Sequence, residues 1–219
     1  YDQNAINLTH ALAEKWNGSK FSIVPSYEGT ANSGSADGTT FAAVSCSSPS
    51  SCLAIGTLQK NTVSSSGLQP GNSSSLAEQW KGSTFSAVQD PLSPGYQSQL
   101  NGLSCASSKS CLAVGYWYPK SGSDEKVLAE QWDGAHWSSA ASPPFPKSKG
   151  PQLSRVSCPG ASRCVGVGYA TYPVAGGNAS ATVVESWNGH SLSTVPSPNA
   201  AGAKYGSSLE GISCTSSTS

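Results

Sequence analysis

The sequence predicts an all-β fold, a β-propeller of four-stranded antiparallel blades of about 53–59 residues each, stapled by disulfides. Three observations carry this. An eleven-residue segment recurs four times, as LAEKWNGSKFS at 12–22, LAEQWKGSTFS at 76–86, LAEQWDGAHWS at 128–138 and VVESWNGHSLS at 183–193. A second recurs as FAAVSC at 41–46, LNGLSC at 100–105, LSRVSC at 153–158 and LEGISC at 209–214. A third opens on a cysteine: CLAIG at 52–56, CLAVG at 111–115 and CVGVG at 164–168. Self-similarity at one period marks a supersecondary unit that buries its apolar face only against its neighbours, and this period is too long for a solenoid rung but suits a four-stranded blade.

The elements follow in order. Residues 12–24 form a hairpin in which Leu12, Glu14 and Trp16 alternate on one face, Asn17-Gly18 turns the chain, and Phe21 to Val24 return. Asn-Gly between alternating segments predicts a two-residue type I′ turn, whose central residues need positive φ. Lys81-Gly82, Asp133-Gly134 and Asn188-Gly189 turn the other copies and keep the glycine. Connectors rich in proline and serine follow each hairpin, with Pro25, then Pro91 and Pro94, then Pro143, Pro144 and Pro146, then Pro196 and Pro198. These read as loops. Small and β-branched residues in short alternating runs then give one strand ending in Ser-Cys and one starting with Cys.

Residues 1–219 are thus one propeller or part of one, with blades at about 41–88, 100–140 and 153–195. Residues 12–24 and 209–219 supply the parts of a composite or incomplete blade. By the repeat, the partner of Cys214 falls at the position after Ser219, so the expectation is either a longer propeller or a strand supplied by another chain.

Charge excludes several functions. Only 11% of residues are charged, and 12 basic residues balance 12 acidic ones, so no basic field draws in nucleic acid or anionic lipid. No apolar run has the length of a membrane span. Seven cysteines in a chain without methionine point to an oxidising compartment, and YDQNAINLTH reads as a processed or trimmed N-terminus. The expected location is extracellular, by secretion.

The cysteines read as staples. Cys46/Cys52, Cys105/Cys111 and Cys158/Cys164 share the spacing Cys-x5-Cys, which brings the ends of adjacent antiparallel strands within disulfide reach. Each short loop contributes roughly 2 kcal/mol in the chain-entropy account. His10, His136 and His190 have no spacing relation to these pairs, so no metal and no cofactor are expected. Cys214 is left unpaired, or pairs across chains.

Repetition separates scaffold from candidate site. Trp16, Trp80, Trp132 and Trp187 repeat, followed five residues later by Phe21, Phe85, Trp137 and Leu192, and an aromatic stripe at strand spacing is packing between blades. Glu14, Glu78, Glu130 and Glu185 repeat two residues before each tryptophan, where a buried carboxylate needs hydrogen-bond donors from backbone or hydroxyl neighbours. The alternative for these acids is a ring around a cation. Outside the repeat stand Trp117, flanked by Tyr116 and Tyr118, and at comparable places in the next blade Tyr169 and Tyr172. Aromatics where a strand enters a polar loop stack on a sugar face or an apolar patch of a partner, and they are the ligand-binding candidates.

The combined pattern LAEQW-[NKD]-G-x-x-[FW]-S, then L-x-x-V-S-C-x5-C-L-A-V-G, resembles Trp- and Cys-containing propeller-like repeats of secreted proteins from actinobacteria and related bacteria, over about Leu12 to Cys214. The resemblance implies the fold and the secreted location and carries no catalytic residue. A weaker likeness to the Asp-box of sialidase-like propellers fails, because Ser35-Ala36-Asp37-Gly38 lacks the spacer and Arg155 and Arg163 fall short of three arginines. Three readings of function follow. The first is a non-catalytic binder of glycans or cell-surface partners through rim loops. The second is a structural, self-associating component of an extracellular surface or fibre, joined through the incomplete blade. The third is a glycosidase-like enzyme drawing a carboxylate pair from Asp37, Asp90, Asp124 and Glu125. Asn7, Asn17, Asn72 and Asn178 begin glycosylation sequons.

Overall fold

Alternating short runs of small, β-branched and aromatic residues form strands throughout, and no helix occurs among the described residues. A computed structural model describes residues 8–29, 31–32, 35–65, 67–88, 97–119, 125–200 and 206–216. Asn7, Asp90, Pro91, Pro94 and Asp124 lie outside the described residues.

The first repeat copy is a lone hairpin, β1 (Ala13–Trp16) and β2 (Phe21–Val24). After the short β3 (Ala31–Asn32) and β4 (Ser35–Ala36), β5 (Gly38–Ser48), β6 (Ser51–Ser64), β7 (Gly67–Trp80) and β8 (Phe85–Val88) run antiparallel in sequence order, and β4 joins the same sheet through Ser35 and Thr62. The second full unit is β9 (Gln97–Ser107), β10 (Ser110–Tyr118), β11 (Lys126–Trp132) and β12 (Trp137–Ser139). The third is β13 (Lys149–Gly160), β14 (Arg163–Val174), β15 (Gly177–Trp187) and β16 (Leu192–Thr194). Disulfides join Cys46 to Cys52 across the β5–β6 turn, Cys105 to Cys111 across the β9–β10 turn and Cys158 to Cys164 across the β13–β14 turn, and Cys214 carries a free thiol.

The core lies between sheets rather than within them. Leu53, Ile55 and Ala77 of the first full unit pack against Leu100, Leu103, Leu128, Trp132 and Trp137 of the second. Leu112, Val114, Val127 and Ala129 of the second pack against Leu153, Val156, Val183, Trp187 and Leu192 of the third. The two seams use corresponding sequence positions, so one interface is built twice. Burial of large side chains such as these stabilises by about 1.5–3 kcal/mol each.

Three features differ from expectation. The hairpin turns are four-residue loops: Asn17 N–H donates to the Lys20 carbonyl at 3.2 Å, and the Asn17 Oδ1 accepts from Ser19 and Lys20 N–H groups, both at 3.0 Å. Asp133 and Asn188 use their side chains in the same way, so the first turn residue does not need positive φ; only the glycine takes it, with φ of 99°, 91°, 105° and 99° at Gly18, Gly82, Gly134 and Gly189. Strands β6 and β7 extend to 14 residues each, far past the short repeat, and accommodate Pro70 at a register shift between Gln59 and Asn61. The hairpin β1–β2 is uncovered: Trp16 is 52% exposed, whereas Trp80, Trp132 and Trp187 are 7%, 2% and 4% exposed. Its tryptophan therefore does not share the packing expected of all four copies. Beside it a cavity of about 530 Å³ opens towards the first full unit, lined by Leu12, Trp16, Val44, Trp80 and Phe85 among others. The described sheets stack side by side without forming a closed ring.

The glycine closing each CLAIG-type motif, inside β6, β10 and β14, has a steric cause. A Cβ at Gly56, Gly115 or Gly168 would lie 1.8, 1.9 or 2.1 Å from the carbonyl oxygen of Thr40, Gln99 or Gln152 on the neighbouring strand. At Gly211 it would meet nothing within 4 Å. Gly115→Ala is expected to destabilise the protein by more than about 2 kcal/mol in chemical denaturation, and Gly211→Ala to leave it within about 0.5 kcal/mol of wild type.

Candidate functional site

Two repeated contacts hold the seams. The serines of the first three Ser-Cys pairs each accept a hydrogen bond from the first cysteine amide of the next unit: Cys105 N–H to Ser45 Oγ at 3.0 Å, Cys158 N–H to Ser104 Oγ at 2.9 Å, and Cys214 N–H to Ser157 Oγ at 3.0 Å. The third contact places Cys214 at the register of the earlier first cysteines. Two of the repeated glutamates, Glu78 and Glu185, grip the connector that follows the preceding hairpin. Glu78 Oε2 accepts from Tyr27 N–H at 3.1 Å, and Glu185 Oε1 accepts from the Ser142 hydroxyl at 2.9 Å; each donor lies three residues past the end of its hairpin.

Glu78, Glu130 and Glu185 are fully buried, whereas Glu14 is exposed on the uncovered hairpin. These acids lie in separate units and do not converge on a cation. No group of three or more His, Cys, Asp or Glu side chains able to hold a metal occurs among the described residues. Burial raises the Glu78 carboxyl above its ordinary value, opposed by the Tyr27 amide, and burial pushes Glu185 up to about 7, opposed by the Ser142 hydroxyl. One oxygen of each, Glu78 Oε1 and Glu185 Oε2, has no hydrogen-bond partner among the described residues.

The aromatics outside the repeat divide between two environments. Trp117 is half-buried against the core of the seam between the first two full units, with the Lys126 ammonium 5.6 Å from its ring centroid. It also lines a cleft of about 550 Å³, with Glu125, Lys126, Ser142, Phe145 and Ser148 among the other walls. Tyr116 and Tyr118 meet edge to face with centroids 5.9 Å apart. The Tyr116 hydroxyl donates to Gln99 Oε1 at 2.9 Å, and the Tyr118 hydroxyl donates to Glu125 Oε1. The Glu125 hydrogen bond is the main cause pushing the Tyr118 hydroxyl up to about 12. Tyr169 lies near enough to act electrostatically on both, and it lines polar grooves with Arg155, Ser180, Ser207 and Glu210. Tyr172 packs against the core of the next seam. The structure thus gathers Tyr116, Tyr118, Tyr169 and Glu125, and places Trp117 and Tyr172 against seams.

Of the acids considered for a carboxylate pair, Asp37 is buried beside β5 in an ion pair with Lys60 at 2.7 Å, and Glu125 precedes β11 of the next unit. The serine latch was missed from the sequence, although Ser-Cys stands in all four copies. Comparison with protein-family models, curated proteins and solved structures finds no match to this chain. No helix among the described residues is long and apolar enough to cross a membrane.

The buried glutamates couple stability to pH. Glu185 titrates near 4.5 when unfolded and at about 7 when folded, so between these values the native state holds a proton that the unfolded state has released. Stability is therefore highest below about pH 4.5 with respect to this group and falls as pH rises towards 7, by up to about 3 kcal/mol. Thermal melts of wild type and Glu185→Gln between pH 5 and 8 test this: wild type melts lower at pH 8 than at pH 5, and the substitution flattens the difference.

Proposed function

We propose that the chain is a secreted, non-catalytic module of propeller-like repeats that binds an extracellular glycan, with the ligand in the cleft beside Trp117. The reading is carried by the composition of that cleft. An indole, a phenyl ring, a carboxylate, two ammonium groups and serine hydroxyls line about 550 Å³. This is the chemistry that takes a sugar: an apolar ring face for its C–H surface, and charged and hydroxyl groups for its hydroxyls. Support for secretion comes from the three disulfides. Weak single-site affinity fits a repeat scaffold, in which several modules raise avidity.

A glycan array followed by calorimetry on the best glycan tests the reading. Trp117→Ala is expected to weaken binding at least tenfold, and Glu125→Gln to weaken it less. Trp117→Phe retains an aromatic ring against the seam and separates lost binding from lost folding. Binding to no glycan, or undiminished binding by Trp117→Ala with a retained melting temperature, contradicts the proposal.

A further inference from the structure

We infer that the ligand of the cleft beside Trp117 is an acidic glycan, its sugar ring on the indole and its anionic group, a carboxylate or a sulfate, taken by the ammoniums of Lys126 and Lys147. The inference rests on the glycan reading of that cleft and names the class of sugar. Both lysines line the cleft with Trp117 and Phe145, and both are exposed. An exposed lysine is ordinary in itself. What marks these two is where each stands in a scaffold whose other units show what the fold requires.

Trp117 and Lys126 stand opposite each other in the register of β10 and β11. The same register position is held by Leu58 and Ser74 in the first full unit and by Ala170 and Ala181 in the third. Equivalent places in the three sheets thus take apolar or small residues twice and an indole with an ammonium once, so strand pairing does not call for the charged pair. The Lys126 ammonium lies 5.6 Å from the indole centroid, which holds a positive charge beside the ring on which a sugar stacks.

Lys147 reaches the cleft at a conformational cost. Its φ of 66° is the one positive value at a residue other than glycine among the described residues. Ser148 N–H donates to the Phe145 carbonyl at 3.3 Å and closes a turn with Pro146 second and Lys147 third, the type II pattern whose third residue is ordinarily glycine or asparagine. Among the described residues the ion pairs are Lys60 with Asp37 and His136 with Asp133, so neither cleft ammonium meets a carboxylate. The one carboxylate of the described lining, Glu125, accepts the Tyr118 hydroxyl. The lining therefore carries more positive than negative charge, in a chain whose basic and acidic residues balance at 12 each. An anionic substituent gains from both ammoniums where a neutral hydroxyl gains little.

A glycan array that carries oligouronates and sulfated oligosaccharides beside their methyl-ester and desulfated forms tests the inference, with calorimetry on the strongest acidic hit and its neutral form. At about 20 mM salt the acidic form is expected to bind about tenfold tighter than the neutral one, and the preference falls towards unity at about 500 mM. Whether uronates or sulfated sugars show the preference tells carboxylate from sulfate. Lys126→Ser installs the residue of the first full unit and Lys147→Gly the residue favoured at positive φ, so the double variant keeps the wild-type melting temperature while its binding of the acidic form drops to that of the neutral one. Should the double variant melt lower, Lys126→Ala alone, the residue of the third full unit, is expected to weaken acidic binding about threefold. Equal binding of acidic and neutral forms, hits confined to neutral sugars, or an acid preference that survives these substitutions overturns the inference and leaves the glycan reading standing. Binding to no glycan overturns both.

Discussion

No four-stranded sheet in this chain can bury its own apolar faces, and the structure depends on each sheet being covered by the next. The residues that make the core are divided between successive units, so Leu53 and Ile55 have no interior to occupy until Leu103 and Trp132 arrive. This explains why a chain with only 37% apolar residues folds around thin, repeated seams instead of one large core. It also explains why sequences nearly identical to buried ones are exposed in the first hairpin. LAEKWNGSKFS and LAEQWKGSTFS differ little; what differs is the presence of a neighbour on the tryptophan face.

The seams carry polar contacts that apolar packing alone would not require. A buried glutamate with one oxygen unpartnered is costly, and its raised proton affinity is the physical record of that cost. What it contributes is position. Non-directional packing leaves the sliding of one sheet over the next weakly specified, whereas a carboxylate meeting a donor three residues past the previous hairpin and a serine meeting the next cysteine amide define one register. The disulfides across the β5–β6, β9–β10 and β13–β14 turns hold the serine latch in place at its strand end.

Much of this was legible in the sequence because repetition exposes what every unit needs. The strands, their order within each unit, the three cysteine pairs and the glycine at each hairpin follow from spacing. The details that escaped lie where chemistry depends on a neighbour. Asn17-Gly18 reads as a two-residue turn, but the Asn17 side chain closes a four-residue loop, which pairing counts alone do not reveal. Ser45, Ser104 and Ser157 look like ordinary strand residues until the adjacent unit presents an amide. The long ribbons of β6–β7 and β14–β15 run past the repeated motifs and have no periodicity to announce them. Among the candidate ligand residues, Tyr116, Tyr118 and Tyr169 converge because they extend from equivalent strands of adjacent units. Trp117 and Tyr172 point into the seams because successive residues of a strand face opposite ways.

Function in such a scaffold divides between what the units do for each other and what the spaces between them offer a ligand. The cleft beside Trp117 is a by-product of stacking, framed by one unit and the connector to the next, so a ligand there would report on the seam as well as on its own contacts. The most direct test of the stacking account is native-state hydrogen exchange on the dispersed chain, residue by residue. The account predicts slowest exchange in β9 to β12, which are covered on both faces, and exchange at least about 100-fold faster in β1 and β2, where the tryptophan face is open. Equal protection of β1–β2 and β9–β12 would contradict it, since the sheets would then hold their structure without being covered.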